Sequence, residues 1–159
     1  MRRIARPGRR RTAPAFLLLP VLIALTLVLI PALPAIAAAP AALSIRVAGN
    51  HFVDGGGQPV RLLGVNRSGS EYACMDGRGS FDGPDDAASI AAMASWHINA
   101  VRVPLNEDCW LGINGAPAAS SGTNYRQAIS TYVRRLHAAR LYAIVDLHWS
   151  AQGTLPADG

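Results

Sequence analysis

The chain has 159 residues and half of them are hydrophobic, but neither the apolar residues nor the charges are evenly spread. Six of the fifteen arginines lie in the first twelve residues, leaving nine arginines against ten acids, a net charge of −1, after Thr12. The overall charge of +5 thus belongs to the N-terminal tip, and nucleic acid is not an expected partner. Lysine is absent, which excludes Walker A phosphate binding and Schiff-base chemistry.

The tip is followed by the apolar run Phe16 to Ile30 and then by small residues around Ala35-Ile36-Ala37 and Ala38-Ala39. A basic start, an apolar middle and an A-x-A-like end compose a secretory signal peptide over residues 1–37, with cleavage near Ala37 or Ala39. The length of the apolar run leaves a retained membrane anchor as the alternative. Either way the rest of the chain crosses a membrane, and this segment is its only expected membrane contact. Cys74 and Cys109 are an even pair in an exported chain, so a disulfide is allowed, with two free thiols as the alternative. The histidines at 51, 97, 137 and 148 form no metal-ligand spacing, and no metal or other cofactor is expected.

From Leu43 the pattern turns to short β-like runs. Leu43–Val47 alternates, Gly49-Asn50 is a turn pair and His51–Val53 returns, which predicts a hairpin. Pro59–Asn66 reads as one strand entering a glycine-rich polar loop that runs to Gly83, and loops of that length are commonly functional. Pro84 with Asp85 and Asp86 opens a helix whose apolar stripe is Ala87, Ile90, Ala91 and Ala94. Ile98–Val103 is a β-branched run stopped by Pro104, and a second long loop spans Leu105–Thr123. Tyr125, Ile129, Tyr132, Val133 and Leu136 form the second helical stripe, closed by Arg140. Leu141–Leu147 is a further strand, ending in His148-Trp149.

The order hairpin, β, α, β, α, β implies parallel pairing through right-handed crossovers. The second and third of these strands read as continuous apolar runs, covered on both faces. Polar and aromatic residues gather after each strand, at Asn66–Cys74, Asn106–Trp110 and His148–Gln152. That places a site at the C-terminal rim of either a (β/α) barrel or a doubly wound sheet, and periodicity does not choose between them.

Three strings together resemble glycoside hydrolase family 5, the cellulase or endo-β-1,4-glucanase type: PVRLLGVNRSGSEYAC, WHINAVRVPLNEDCWLGING and LYAIVDLHWS. The resemblance covers Leu43 to about Gly153 and implies the N-terminal portion, about three strand-helix units, of a (β/α)8 TIM barrel over residues 43–159. It implies a β-glucan polysaccharide such as cellulose as substrate, and a monomer when complete. Arg102 matches the family's arginine beneath the nucleophilic glutamate, and His148 the histidine that contacts sugar at the cleavage subsite. Trp149 and Trp110 are candidate sugar platforms, with core or rim packing as the alternative, and Asn66 and Asn106 are placed to hydrogen-bond sugar hydroxyls or neighbouring loops, Asn66 reading as loop structure. Cys74 and Cys109 fall in neighbouring rim loops, which supports the disulfide.

The family's two catalytic glutamates belong to strands four and seven, and the chain stops just past strand three. Glu71 and Glu107 match neither position and read as solvated loop residues. The expectation is therefore an N-terminal fragment of an endoglucanase-like enzyme, inactive alone, with strand residues such as Leu63, Val101, Val103 and Val145 left uncovered. A mannanase or other β-glycanase of the family, and a non-catalytic exported carbohydrate-binding protein, are the alternatives.

Overall fold

A computed structural model of the protein describes residues 43–153 and 155–157. The expected export signal lies outside the described residues. Among the described residues two three-stranded sheets form. In the first, β1 (Ile45–Ala48), β2 (His51–Asp54) and β3 (Pro59–Val60) pair antiparallel. In the second, β4 (Gly64–Asn66), β5 (Ala100–Asn106) and β6 (Tyr142–Trp149) pair parallel. Helix α1 (Ala87–Ala94) connects β4 to β5. A short helix α2 (Glu107–Leu111) and a long helix α3 (Gly122–Ala138) connect β5 to β6.

The run Pro59–Asn66 is not one strand but two, one in each sheet. Asn99 makes the break: its side chain accepts from Leu63 N at 2.7 Å and donates to Arg61 O at 2.8 Å. At Gly64 the backbones of β4 and β5 approach so closely that a Cβ would stand 2.2 Å from Ala100 O. Only glycine fits there.

β5 also runs past Pro104, contrary to the expected stop. Arg102 O accepts from Arg67 N and Pro104 O from the Ser70 hydroxyl, so both residues point their backbone groups toward β4. β4 has already ended at Asn66, opposite Arg102. The missing N–H of Pro104 therefore costs no ladder bond.

Alternation along β5 sends Val101, Val103 and Leu105 to the helices and Arg102 to the opposite face. The former pack with Ile90 and Met93 of α1 and with Tyr125, Ile129, Tyr132 and Leu136 of α3. The stripe of α3 is as its spacing predicts. That of α1 is not: Ile90 and Met93 are buried, while Ala87 and Ala91 face solvent. A two-residue apolar ridge suffices for an eight-residue helix capped by Asp86, whose side chain accepts from Ser89 N at 2.9 Å.

Val101 and Val103 are fully buried, which corrects the expectation that they stand open. The uncovered residues lie on β6, where Ile144 is exposed on the Arg102 face and Val145 and Leu147 on the helix-side face. Leu63, ahead of β4, is half-exposed.

Cys74 and Cys109 are joined in a disulfide with Cα atoms 6.0 Å apart. It ties the loop after β4 to α2 and closes a chain separation of 35 residues. In the chain-entropy account such a closure stabilises by about 3–4 kcal/mol. Reduction under non-denaturing conditions is expected to lower the denaturant midpoint of the folded protein. An unchanged midpoint in dithiothreitol would show that the disulfide adds nothing.

Candidate active site

Four polar side chains meet where the parallel strands end. Arg102 donates from Nη1 to Asn66 Oδ1 at 2.8 Å and from Nη2 to His148 Nδ1 at 2.8 Å. Its Nη2 also donates to Asp146 Oδ2 in an ion pair. Each strand contributes: Asn66 ends β4, Arg102 lies within β5, and Asp146 and His148 alternate onto one face of β6. The side chains of Arg102, Asp146 and His148 are 30%, 37% and 46% exposed, so the cluster is pre-formed yet accessible.

A register shift between Leu105 and Asn106 sets Trp149 opposite Asn106. Irregularities of this kind at strand ends re-aim side chains. Trp149 lies 6.3 Å from the ring of Tyr72, tilted 46°, which extends the rim toward the loop after β4.

That loop is held by charge. The Tyr72 hydroxyl donates to Asp82 at 2.6 Å, and Arg67 pairs with Asp82 at 3.1 Å while donating to Gly83 O. The Tyr72 bond first, then the Arg67 contacts, hold the Asp82 carboxyl below its ordinary value. A depressed carboxylate contributes stability that is full above the ordinary range, about pH 4, and is lost as pH falls through the folded value. Amide exchange in residues 67–83 is expected to speed up below about pH 4, and Asp82→Asn to abolish that acid dependence. A loop whose exchange, corrected for intrinsic rates, ignores pH in the wild type would refute it.

A second polar group lies beneath the rim and is fully protein-bonded. Asn106 is buried; its Oδ1 accepts from Cys109 N at 3.0 Å, capping α2, and its Nδ2 donates to Glu71 O at 2.9 Å. Both ends of the amide are committed to protein partners, so of the two readings of Asn106 the structure shows the bond to neighbouring loops and not a sugar-facing amide. The Tyr125 hydroxyl donates to Ser70 O at 2.6 Å, and burial pushes its phenol up.

Glu71 and Glu107 are not solvated loop residues. Buried Glu71 accepts from Gly69 N at 2.6 Å, and Glu107 from Ala151 N at 2.8 Å. Asp108, also buried, accepts from Ala157 N at 3.0 Å, so α2 fastens the segment after β6. Trp110 packs against the helix-side core instead of joining the rim cluster.

Of the residues singled out in the sequence, the structure brings together Arg102 and His148, while Trp149, next in the chain, meets Tyr72. To the cluster it adds Asn66 and Asp146. Asp146 carries a legible signal: it is the charged residue of an otherwise apolar strand, two positions before His148 and hence on its face. Asn66 shows none beyond its place at a strand end.

Parallel strands with helices on one face, and polar groups converging at the strands' C-terminal ends, are the arrangement of part of a (β/α) barrel, a fold that carries its sites on that rim. The family profile described as Cellulase (glycosyl hydrolase family 5) matches residues 53–157, and the chain belongs to that family. Among solved structures, the chain is similar to the native form of the beta-glucanase SdGluc5_26A from Saccharophagus degradans, at 22% identity and a TM-score of 0.52. The same enzyme in complex with cellotetraose matches equally, at 22% identity and a TM-score of 0.52. The alignment covers 69% of this chain and 29% of the beta-glucanase, so this chain spans under a third of that enzyme's length. A search of curated proteins finds no match.

Proposed function

We propose that the chain is the N-terminal portion of an exported (β/α)8 endoglucanase that hydrolyses β-1,4-glucan with retention of configuration, as a monomer. The observation that carries this reading is the Arg102 guanidinium, held at the rim between Asn66, Asp146 and His148. A fixed guanidinium keeps a neighbouring carboxylate ionised and oriented, which is what a glutamate nucleophile requires. His148 stands beside it to bond a sugar hydroxyl, and Trp149 is the stacking surface. Family membership and the glucan tetrasaccharide bound by the similar beta-glucanase support a glucan substrate.

Retaining hydrolysis needs two carboxyl groups about 5 Å apart. Glu71, Glu107 and Asp108 are committed to backbone amides, so both catalytic glutamates are assigned to strands beyond β6. Export is assigned to the N-terminal signal, and the disulfide accords with an oxidising compartment.

The test is hydrolysis by the full-length protein of carboxymethylcellulose and mannan, with the anomer of the first product read by proton NMR. Release of β-configured reducing ends from the glucan is expected. Preferred cleavage of mannan would make it a mannanase. Glucan binding without any cleavage would leave a carbohydrate-binding protein.

A further inference from the structure

The Arg102 Nη2 group carries two hydrogens and faces two acceptors, Asp146 Oδ2 and His148 Nδ1. Those acceptors stand 3.4 Å from each other, while Nη2 is 2.8 Å from the imidazole. Hydrogen bonds from nitrogen fall at about 2.7–3.2 Å, so the arginine is the nearer partner of the ring and the aspartate the more distant one. A guanidinium has donors only. To accept from it, Nδ1 is bare and the ring proton sits on Nε2, the tautomer this contact selects.

An aspartate alone beside Nδ1 would favour the opposite tautomer, drawing a proton onto Nδ1. Asp146 does something else here because Arg102 lies between them. Its carboxylate pins Nη2 from one side while Asn66 Oδ1 pins Nη1, so the guanidinium cannot turn away from the ring. Were the guanidinium to turn away, Nδ1 would face the Asp146 carboxylate and take up the ring proton, reversing the tautomer.

We propose that Asp146 is a positioning residue of this site, holding Arg102 against His148 so that the imidazole is fixed as an Nε2–H donor. The proposal deepens the glucanase reading, which it needs only for what Nε2–H bonds: a sugar hydroxyl acting as acceptor. The tautomer itself is independent of the reaction.

The test uses the full-length protein labelled with nitrogen-15 in histidine and arginine, at about pH 9, where imidazole is ordinarily neutral. The wild type is expected to show His148 with a protonated Nε2 and a bare Nδ1. Arg102→Met leaves Asp146 facing the ring and is expected to move the proton to Nδ1. Adding Asp146→Asn to it is expected to return the proton to Nε2. A wild-type proton on Nδ1, or a tautomer indifferent to Arg102→Met, overturns the proposal.

Arg102 supplies a second readout that survives if the methionine variant does not fold. Pinned at both ends, its two Nη groups give separate resonances, and Asp146→Asn is expected to merge them by freeing rotation. Resonances that stay separate in Asp146→Asn overturn the positioning role. In the same variant kcat on carboxymethylcellulose is expected to fall about tenfold, with KM within about twofold, because orientation is lost and not sugar contact. An unchanged kcat overturns the link to turnover. If no wild-type hydrolysis is found, the glucanase reading fails while the tautomer result still stands or falls by itself.

Discussion

Arg102→Ala in the full-length protein is expected to lower kcat about a hundredfold or more, the scale seen when one preorganised donor is removed from an active site. KM should change far less. The guanidinium is bonded on one side to Asn66 and on the other to Asp146 and His148, so it is framework for the site and offers little surface to sugar. Removing it leaves the Asp146 carboxylate without its cation and His148 Nδ1 without its donor. Arg102→Lys should recover little, since an ammonium cannot reach Asn66 and Asp146 at once in the planar fork they fit. Initial rates on carboxymethylcellulose over a range of concentrations separate the two constants. A kcat equal to wild type would leave Arg102 a structural ion-pair residue, and the catalytic assignment would be withdrawn.

What the sequence disclosed about this site follows from period and charge. Helix α3 was legible because Tyr125, Ile129, Tyr132 and Leu136 repeat at helical spacing over 17 residues, and all four are buried. Arg102 and His148 were legible as polar groups attached to apolar strands. What was not legible depended on long-range partners. No local pattern says that Asn99 will divide Pro59–Asn66 between two sheets, because its side chain acts on residues 36 and 38 positions away. No pattern says that Pro104 can stay in a strand, because that depends on where β4 ends.

The sequence leaves Asn106 between two readings for the same reason. An asparagine at a strand end can face a ligand or cap the next helix, and α2, only five residues long, is too short to announce itself by periodicity. Its stop is visible in hindsight: Gly112 takes the left-handed conformation at φ 71° that ends it.

The other large effect concerns the segment by itself. Residues 38–159 expressed alone are expected to give no cooperative thermal transition and no hydrolysis of carboxymethylcellulose. The parallel sheet is covered by helices on the face of Val101, Val103 and Leu105, where those side chains are buried with α1 and α3. Among the described residues the opposite face has no such layer: Ile144 is 41% exposed there, beside the charges of Arg102 and Asp146. Even the helix side is incomplete, since Val145 and Leu147 are 51% and 55% exposed on β6, the last strand of the sheet. An apolar strand at a sheet edge, with no further strand beside it among the described residues and exposed side chains on both faces, favours association over solution as a monomer. Strands added beyond β6 would pair that edge, and a following helix would cover Val145 and Leu147. Appending the downstream residues of the same reading frame should therefore restore both a sharp melt and activity. Calorimetry and size-exclusion chromatography of the two proteins make the comparison. A sharp melt of residues 38–159 as a soluble monomer would mean that the disulfide and the helix-side core hold three strands unaided, and the balance would move to a small carbohydrate-binding protein.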